Sequence, residues 1–106
     1  MTQVVLILIT VPDGDLGRQI ARTLVEEQLA ACVNIHAPMT SIYRWRGRVE
    51  EETERQLVIK TIAAKVEAVR VRAGQLHSYE LPEFLVLPVA DGSKEYLEWV
   101  FNAVSA

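Results

Sequence analysis

The chain has one cysteine, Cys32, in 106 residues. An internal disulfide is therefore excluded, and so, within one chain, are a four-thiolate zinc centre and a paired-cysteine redox motif. A solitary thiol suits a reducing compartment, so a cytoplasmic protein is expected. There is no surplus of positive charge either: 11 Lys and Arg stand against 14 Asp and Glu, a net charge of −3. Nucleic-acid binding needs clustered, unopposed cations. The only basic cluster, Arg44, Arg46 and Arg48, is followed at once by Glu50, Glu51, Glu52 and Glu54. No nucleic-acid partner is expected. The unbroken apolar run over residues 4–9 is far shorter than the ~20 residues of a membrane span. Neither a basic segment before it nor a small-residue cleavage pattern after it marks a signal peptide. It reads as a buried strand, with no membrane partner. No repeat, linker or low-complexity segment divides the chain, so residues 1–106 are expected to form a single domain.

What is present is an ordinary globular composition, 50% hydrophobic and 24% charged. The strand at 4–9 ends at Pro12, Asp13 and Gly14. Asp13 or Asp15 can cap a following helix with Leu16, Ile20, Leu24 and Val25 on one face and Arg18, Arg22 and Glu26 on the other. A short strand over 32–35 is interrupted at His36, Ala37 and Pro38, where proline has no amide hydrogen for a ladder. A second helix over 63–76 places Val66, Val69, Ala73 and Leu76 on one side. A strand over 84–89 follows. Ser93 can then cap a third helix, with Leu97, Val100, Phe101 and Val104 facing inward. The order β-α-β-β-α-β plus a C-terminal helix is an α+β, ferredoxin-like split βαβ arrangement with an antiparallel sheet.

Residues 39–61 form one hairpin too long for its domain. The second arm, from residue 48 to 61, spans on the order of 46 Å when extended at about 3.3 Å per residue. A compact domain of this size has a radius of gyration near 13 Å. Part of the hairpin must project, and projecting strand edges are covered or blunted in soluble proteins. Neighbouring copies are the economical cover, so an oligomer is expected. Gly47 supplies the positive φ of the turn. With Arg46 and Gly47 as the loop, facing residues have numbers summing to 93, which sets Arg44 opposite Val49 and diagonal to Glu51 as a cross-strand charge pair.

Several segments together resemble the CutA family of divalent-cation tolerance proteins. They are TVPD from Thr10, LAACVNI from Leu29, TSIYRWRGRVEEETE from Thr40, IKT from Ile59, LHSYELPE from Leu76 and YLEWV from Tyr96. The resemblance implies a ferredoxin-like homotrimer whose long hairpins pair between subunits, and a role in copper or other divalent-metal tolerance. The metal positions it implies fall on Ile9, Leu76 and His77, of which only His77 can ligate. Isoleucine and leucine remove the thiolate and imidazole that select copper. A metal site here would join His77 to a carboxylate, Glu54 foremost; the competing reading makes His77 a protonated residue favoured by a helix C-terminus.

The resemblance places the long hairpin and the HSYELPE segment near a subunit boundary, which implies Arg44, Trp45, Lys60, Tyr79, Glu80 and Glu83 as candidate residues of a cleft between subunits, with the aromatics Tyr43 and Trp99 beside them. The glutamates from 50 to 54 alternate in direction along a strand, so all four cannot converge within one subunit. The loop TVPDGDLG lacks the glycine-rich phosphate cradle that acyl-phosphate hydrolysis by Arg18 and Asn34 would require. Neither a nucleophile–base pair nor a metal–water constellation is visible. A non-catalytic protein is expected, without an organic cofactor, whose partners are other copies of itself and divalent metal ions, copper among them. The alternative is a regulatory trimer in the style of the PII proteins, binding a small effector in clefts between subunits.

Overall fold

The computed structural model describes residues 2–105. Strand β1 (Val4–Pro12) leads to helix α1 (Leu16–Glu26), then β2 (Cys32–Ile35), β3 (Met39–Trp45) and the 15-residue β4 (Arg48–Ile62). A short 3-10 turn (Ala63–Lys65) opens α2 (Val66–Leu76), followed by β5 (Leu85–Pro88) and α3 (Lys94–Ala103). All strand pairs are antiparallel, in the order β2-β4-β1-β5 with β3 also on β4. The α+β, split βαβ order expected from the sequence is the one observed. Strands β2 and β3 are two stretches of one interrupted arm along β4, broken at His36, Ala37 and Pro38.

Period-two alternation decides which side of the sheet is buried. Ile7, Ile9 and Val11 of β1 and Leu57 and Ile59 of β4 are at most 1% exposed, packed with Ile20 and Leu24 of α1 and Val69 and Ala73 of α2. Gly17 lets α1 approach the sheet: a Cβ there would stand 2.9 Å from a Val11 methyl. On the opposite face α3 covers only one end, where Val100 and Val104 pack on Val4 and Ile62. The remainder of that face carries Leu6, Leu8, Val58 and Lys60, in register with the exposed Leu85 and Leu87 of β5 and with Asn34 and Cys32 of β2.

The structure corrects several expectations. Helix α1 stops at Glu26, because Gln28 turns with φ of 59° and the amides of Leu29 and Ala30 both bond the Leu24 carbonyl. Neither Asp15 nor Ser93 makes a side-chain cap bond, although each occupies the N-cap position; Asp13 instead accepts from the Gly14 amide and from Arg55. Phe101 is 44% exposed, on the outer side of α3.

The hairpin register matches the expected one, Arg44 facing Val49 and Trp45 facing Arg48. Both loop residues have positive φ, Arg46 at 51° and Gly47 at 80°, the twist-matched turn that two-residue hairpins favour. The expected Arg44–Glu51 pair is absent from the ion pairs of the described residues, whereas Arg46 reaches Glu80 instead. The ribbon projects as its length requires, and the molecule measures 44 × 26 × 23 Å.

Candidate functional site

Register puts Ser41, Tyr43 and Trp45 of β3 on the same side of the ribbon as Glu50, Glu52 and Glu54 of β4. Proline at position 82 keeps residues 78–83 from continuing α2, and this segment crosses over that side. Between them lies a cavity of about 840 Å³, lined also by Thr10, Leu81, Pro82, Glu80 and Glu83. A volume of this order suits a small organic ligand.

The carboxylates are held by neutral donors. Tyr43 donates to Glu52 at 2.7 Å and Tyr79 to Glu54 at 2.6 Å. Glu83 accepts from Thr10 at 2.9 Å and from Gln56 at 2.8 Å. The bond to Glu52, reinforced by the charges of Glu52, Glu54 and Glu50, pushes the Tyr43 hydroxyl up to about 12. Burial, then the bond to Glu54, pushes Tyr79 upward as well. Both phenols stay protonated and remain donors across the physiological range. Glu80 alone has a cation, Arg46 at 2.8 Å, whose guanidinium also lies 5.2 Å from the Trp45 ring centroid.

His77 is the C-cap of α2, and both ring nitrogens are engaged. Nδ1 accepts from the Tyr79 amide at 3.1 Å, so it carries no proton, and Nε2 donates to the Thr10 carbonyl at 2.8 Å. This is a neutral imidazole fastening residues 77–79 to β1, which corrects the expectation of a protonated ring at the helix end. Glu54, the carboxylate expected beside it as a metal ligand, accepts from Tyr79, and no group of three His, Cys, Asp or Glu among the described residues of the single chain is placed to hold a metal ion. The cavity offers oxygen donors alone, a hard set suited to other ions than copper. The residues present do not fit copper.

Of the residues singled out by sequence, Trp45, Glu54, Tyr79, Glu80, Glu83 and Tyr43 come together. Arg44 lies on the other side of the ribbon, and Lys60 is bound to Asn34 on the open sheet face. Trp99 stacks on Tyr96 in α3, with centroids 5.5 Å apart. Glu50, Glu52, Ser41 and Thr10 were not singled out as cleft residues, though the register rule together with alternation places the first three beside Glu54. Arg18 and Asn34 are not brought together: Arg18 is exposed on α1, and Asn34 sits on the sheet face that α1 does not cover. No helix of the described residues is long and apolar enough to cross a membrane.

The model of the CutA1 divalent ion tolerance protein family matches residues 5–103. The divalent-cation tolerance protein CutA of Thermus thermophilus is 49% identical over 94 residues, covering 89% of this chain and 91% of that protein. The crystal structure of CutA from Xylella fastidiosa superimposes with a TM-score of 0.95 at 42% identity, over 98% of this chain and 100% of that one. A PII-like CutA from Nostoc gives 0.88 at 39% identity, over 94% and 96%. One from Archaeoglobus fulgidus, described as periplasmic, gives 0.93 at 37%, over 96% and 99%. The chain spans about half the length of the matching Arabidopsis, mouse and human proteins. With the matched model covering nearly every element of the fold, the chain belongs to the CutA family of divalent-cation tolerance proteins.

Proposed function

We propose that this chain is a non-catalytic regulatory protein, a single-domain subunit of a cytoplasmic homotrimer, that receives a small effector in the cavity between the hairpin and residues 78–83. The observation that carries the reading is the cavity itself: about 840 Å³, walled by Tyr43, Trp45 and Tyr79, with no thiol or imidazole among its lining residues. The PII-like description of the Nostoc structure favours the same reading.

Assembly is supported by the open sheet face. Leu85 and Leu87 are 53% and 41% exposed in the single chain, beside Leu6 and Leu8 on the same side. Contiguous apolar patches of this kind mark protein interfaces. A ribbon lying along a neighbour would bring the cavity to a subunit boundary.

The second reading is direct binding of divalent metals, copper among them, in the service of tolerance; the family's name speaks of divalent-ion tolerance, and the ligand positions the resemblance implies fall on Ile9, Leu76 and the fully engaged His77. Assembly and ligand are tested separately. Native mass spectrometry should give a mass of three chains, and the unfolding midpoint should rise with protein concentration. A thermal-shift screen of small metabolites should yield a ligand whose effect is lost in Trp45→Ala. Stoichiometric copper binding, with no metabolite response, would reverse the assignment.

A further inference from the structure

We infer that Asp91 and Gly92 form a site of spontaneous covalent change, an aspartyl–glycine pair placed to close to a succinimide and reopen as isoaspartate, while Arg55 protects the chain's second such pair, Asp13 and Gly14.

The two pairs share one chemistry. In each, the glycine amide donates to the carboxylate of the aspartate before it, Gly92 to Asp91 Oδ1 at 2.8 Å and Gly14 to Asp13 Oδ1 at 3.0 Å. Ring closure needs that nitrogen about 3–3.5 Å from the carboxyl carbon, and a bond to the oxygen which that carbon carries keeps it near this range. Glycine puts no side chain beside the attacking nitrogen.

Their surroundings differ. Arg55 Nε donates to Asp13 Oδ1 at 2.8 Å, so closure there must break a charge-assisted bond, the stronger kind. Asp91 takes part in none of the ion pairs among the described residues, and both it and Gly92 are exposed. Their loop lies at the end of the sheet remote from the ribbon, since Val89 bonds Val4 at the start of β1 whereas Glu54 faces Pro12 at its finish. Packing accounts for the glycine. A Cβ at position 92 would stand 3.3 Å from Leu97 Cδ2, and Leu97 packs on the cluster of Val4, Ile62, Val100 and Val104.

Water is the only co-reactant. The Gly92 nitrogen bonds to Asp91 Cγ and gives up its proton, and one carboxyl oxygen departs as water. Water then adds to either carbonyl of the imide. Breaking the new N–Cγ bond restores aspartate; breaking the original peptide bond leaves a chain that runs through Cβ and Cγ and carries a free α-carboxylate. Composition is unchanged, but the backbone is one carbon longer. That carbon enters a short loop tied at both ends, where Val89 bonds Val4 and Leu97 bonds Ser93. The seat of α3 on Val4 and Ile62 is thereby loosened.

The test is ageing of the intact, assembled protein in warm, mildly acidic buffer made with oxygen-18 water, followed by tryptic digestion in ordinary water. Asp91 is the one aspartate of fragment 73–94, and Asp13 lies in fragment 1–18. An isomer of 73–94 carrying heavy oxygen should accumulate severalfold faster than any isomer of 1–18. In the urea-unfolded chain the two rates should converge. Arg55→Ala should raise the rate of 1–18 severalfold in the folded protein. Asp91→Glu, whose closure needs a six-membered ring, should yield no such isomer of 73–94 and should keep its unfolding midpoint through ageing, whereas that of the parent falls. Equal rates in the folded protein, or a gap that persists in urea, would overturn the inference. So would a parent and an Asp91→Glu protein that lose stability alike.

Discussion

Replacing His77 with alanine separates a fastening role from a metal-binding one. The substitution removes the bond to the Thr10 carbonyl at 2.8 Å, the bond from the Tyr79 amide at 3.1 Å, and a ring contact with Tyr79 at 4.7 Å. Each hydrogen bond contributes about 0.5–1.5 kcal/mol net, and the ring pair about 0.5–1.5 kcal/mol. His77 is half-buried, so water can satisfy part of what is orphaned, and the expected loss is about 2 kcal/mol, toward the lower end of the sum. The assay is urea unfolding at one fixed protein concentration, where the midpoint should fall with unchanged slope. His77→Asn should recover about half of the loss, because its side-chain oxygen can accept from the Tyr79 amide while the reach to Thr10 is gone. Copper titrations of the parent and both variants should superimpose. A His77→Ala protein of parental stability that had lost a stoichiometric copper site would refute the reasoning.

Gly17→Ala sets helix propensity against packing. Alanine gains about 1 kcal/mol in a helix, but its Cβ meets a rigid, buried Val11 methyl at 2.9 Å, and overpacking costs about 1–3 kcal/mol. A net loss of about 1 kcal/mol is expected in chemical denaturation, relieved when Val11→Ala is added; a more stable single variant would contradict it. Tyr43 should ionise near 12 in a phenolate absorbance titration, and Glu52→Gln should bring it down toward 10. A group whose folded pKa is raised adds stability that is complete below its unfolded value and lost as pH climbs through the folded one, so this contribution fades between about pH 10 and 12. Leu87→Glu, a change worth about 0.5 kcal/mol or less on a free surface, should dissociate the assembly; sedimentation showing an intact trimer would place the interface elsewhere.

The hairpin was legible because length, a single glycine and strand alternation are local properties. One register rule then fixed every pair from Met39–Glu54 to Trp45–Arg48. The same rule contained more of the site than was taken from it. Even and odd positions face opposite ways, which removes Arg44 from the side of Tyr43 and Trp45 and leaves only Glu51 of the four glutamates outside. Lys60 shares the side of Glu54, yet six residues along a strand is about 20 Å, beyond the reach of the cavity. What no pattern in the chain contained was the destination of residues 78–83. Their path over the ribbon depends on His77 holding Thr10 and on Arg46 meeting Glu80, contacts between segments 34 to 67 positions apart. The neutral state of His77 follows from those partners too, which is why a helix-end argument assigned it a proton.

The ribbon that carries the cavity is the part of the chain least supported by its own core. Most of β3 and the first half of β4 are exposed, and a two-stranded ribbon is marginal by itself in water. Its tip also pays for an arginine in the left-handed region, at φ of 51°. Arg46 offsets that strain by binding Glu80 and resting on Trp45, so the hairpin turn and the cavity rim share one side chain. On the proposed reading, an effector in the cavity that moved Arg46 would alter the tip of the ribbon, the element through which neighbouring subunits would meet. Binding and assembly would then be linked equilibria, each shifting the other by the same factor. Ligand affinity should accordingly depend on protein concentration around the dissociation range, and a dissociated variant such as Leu87→Glu should bind the ligand with an affinity different from that of the trimer.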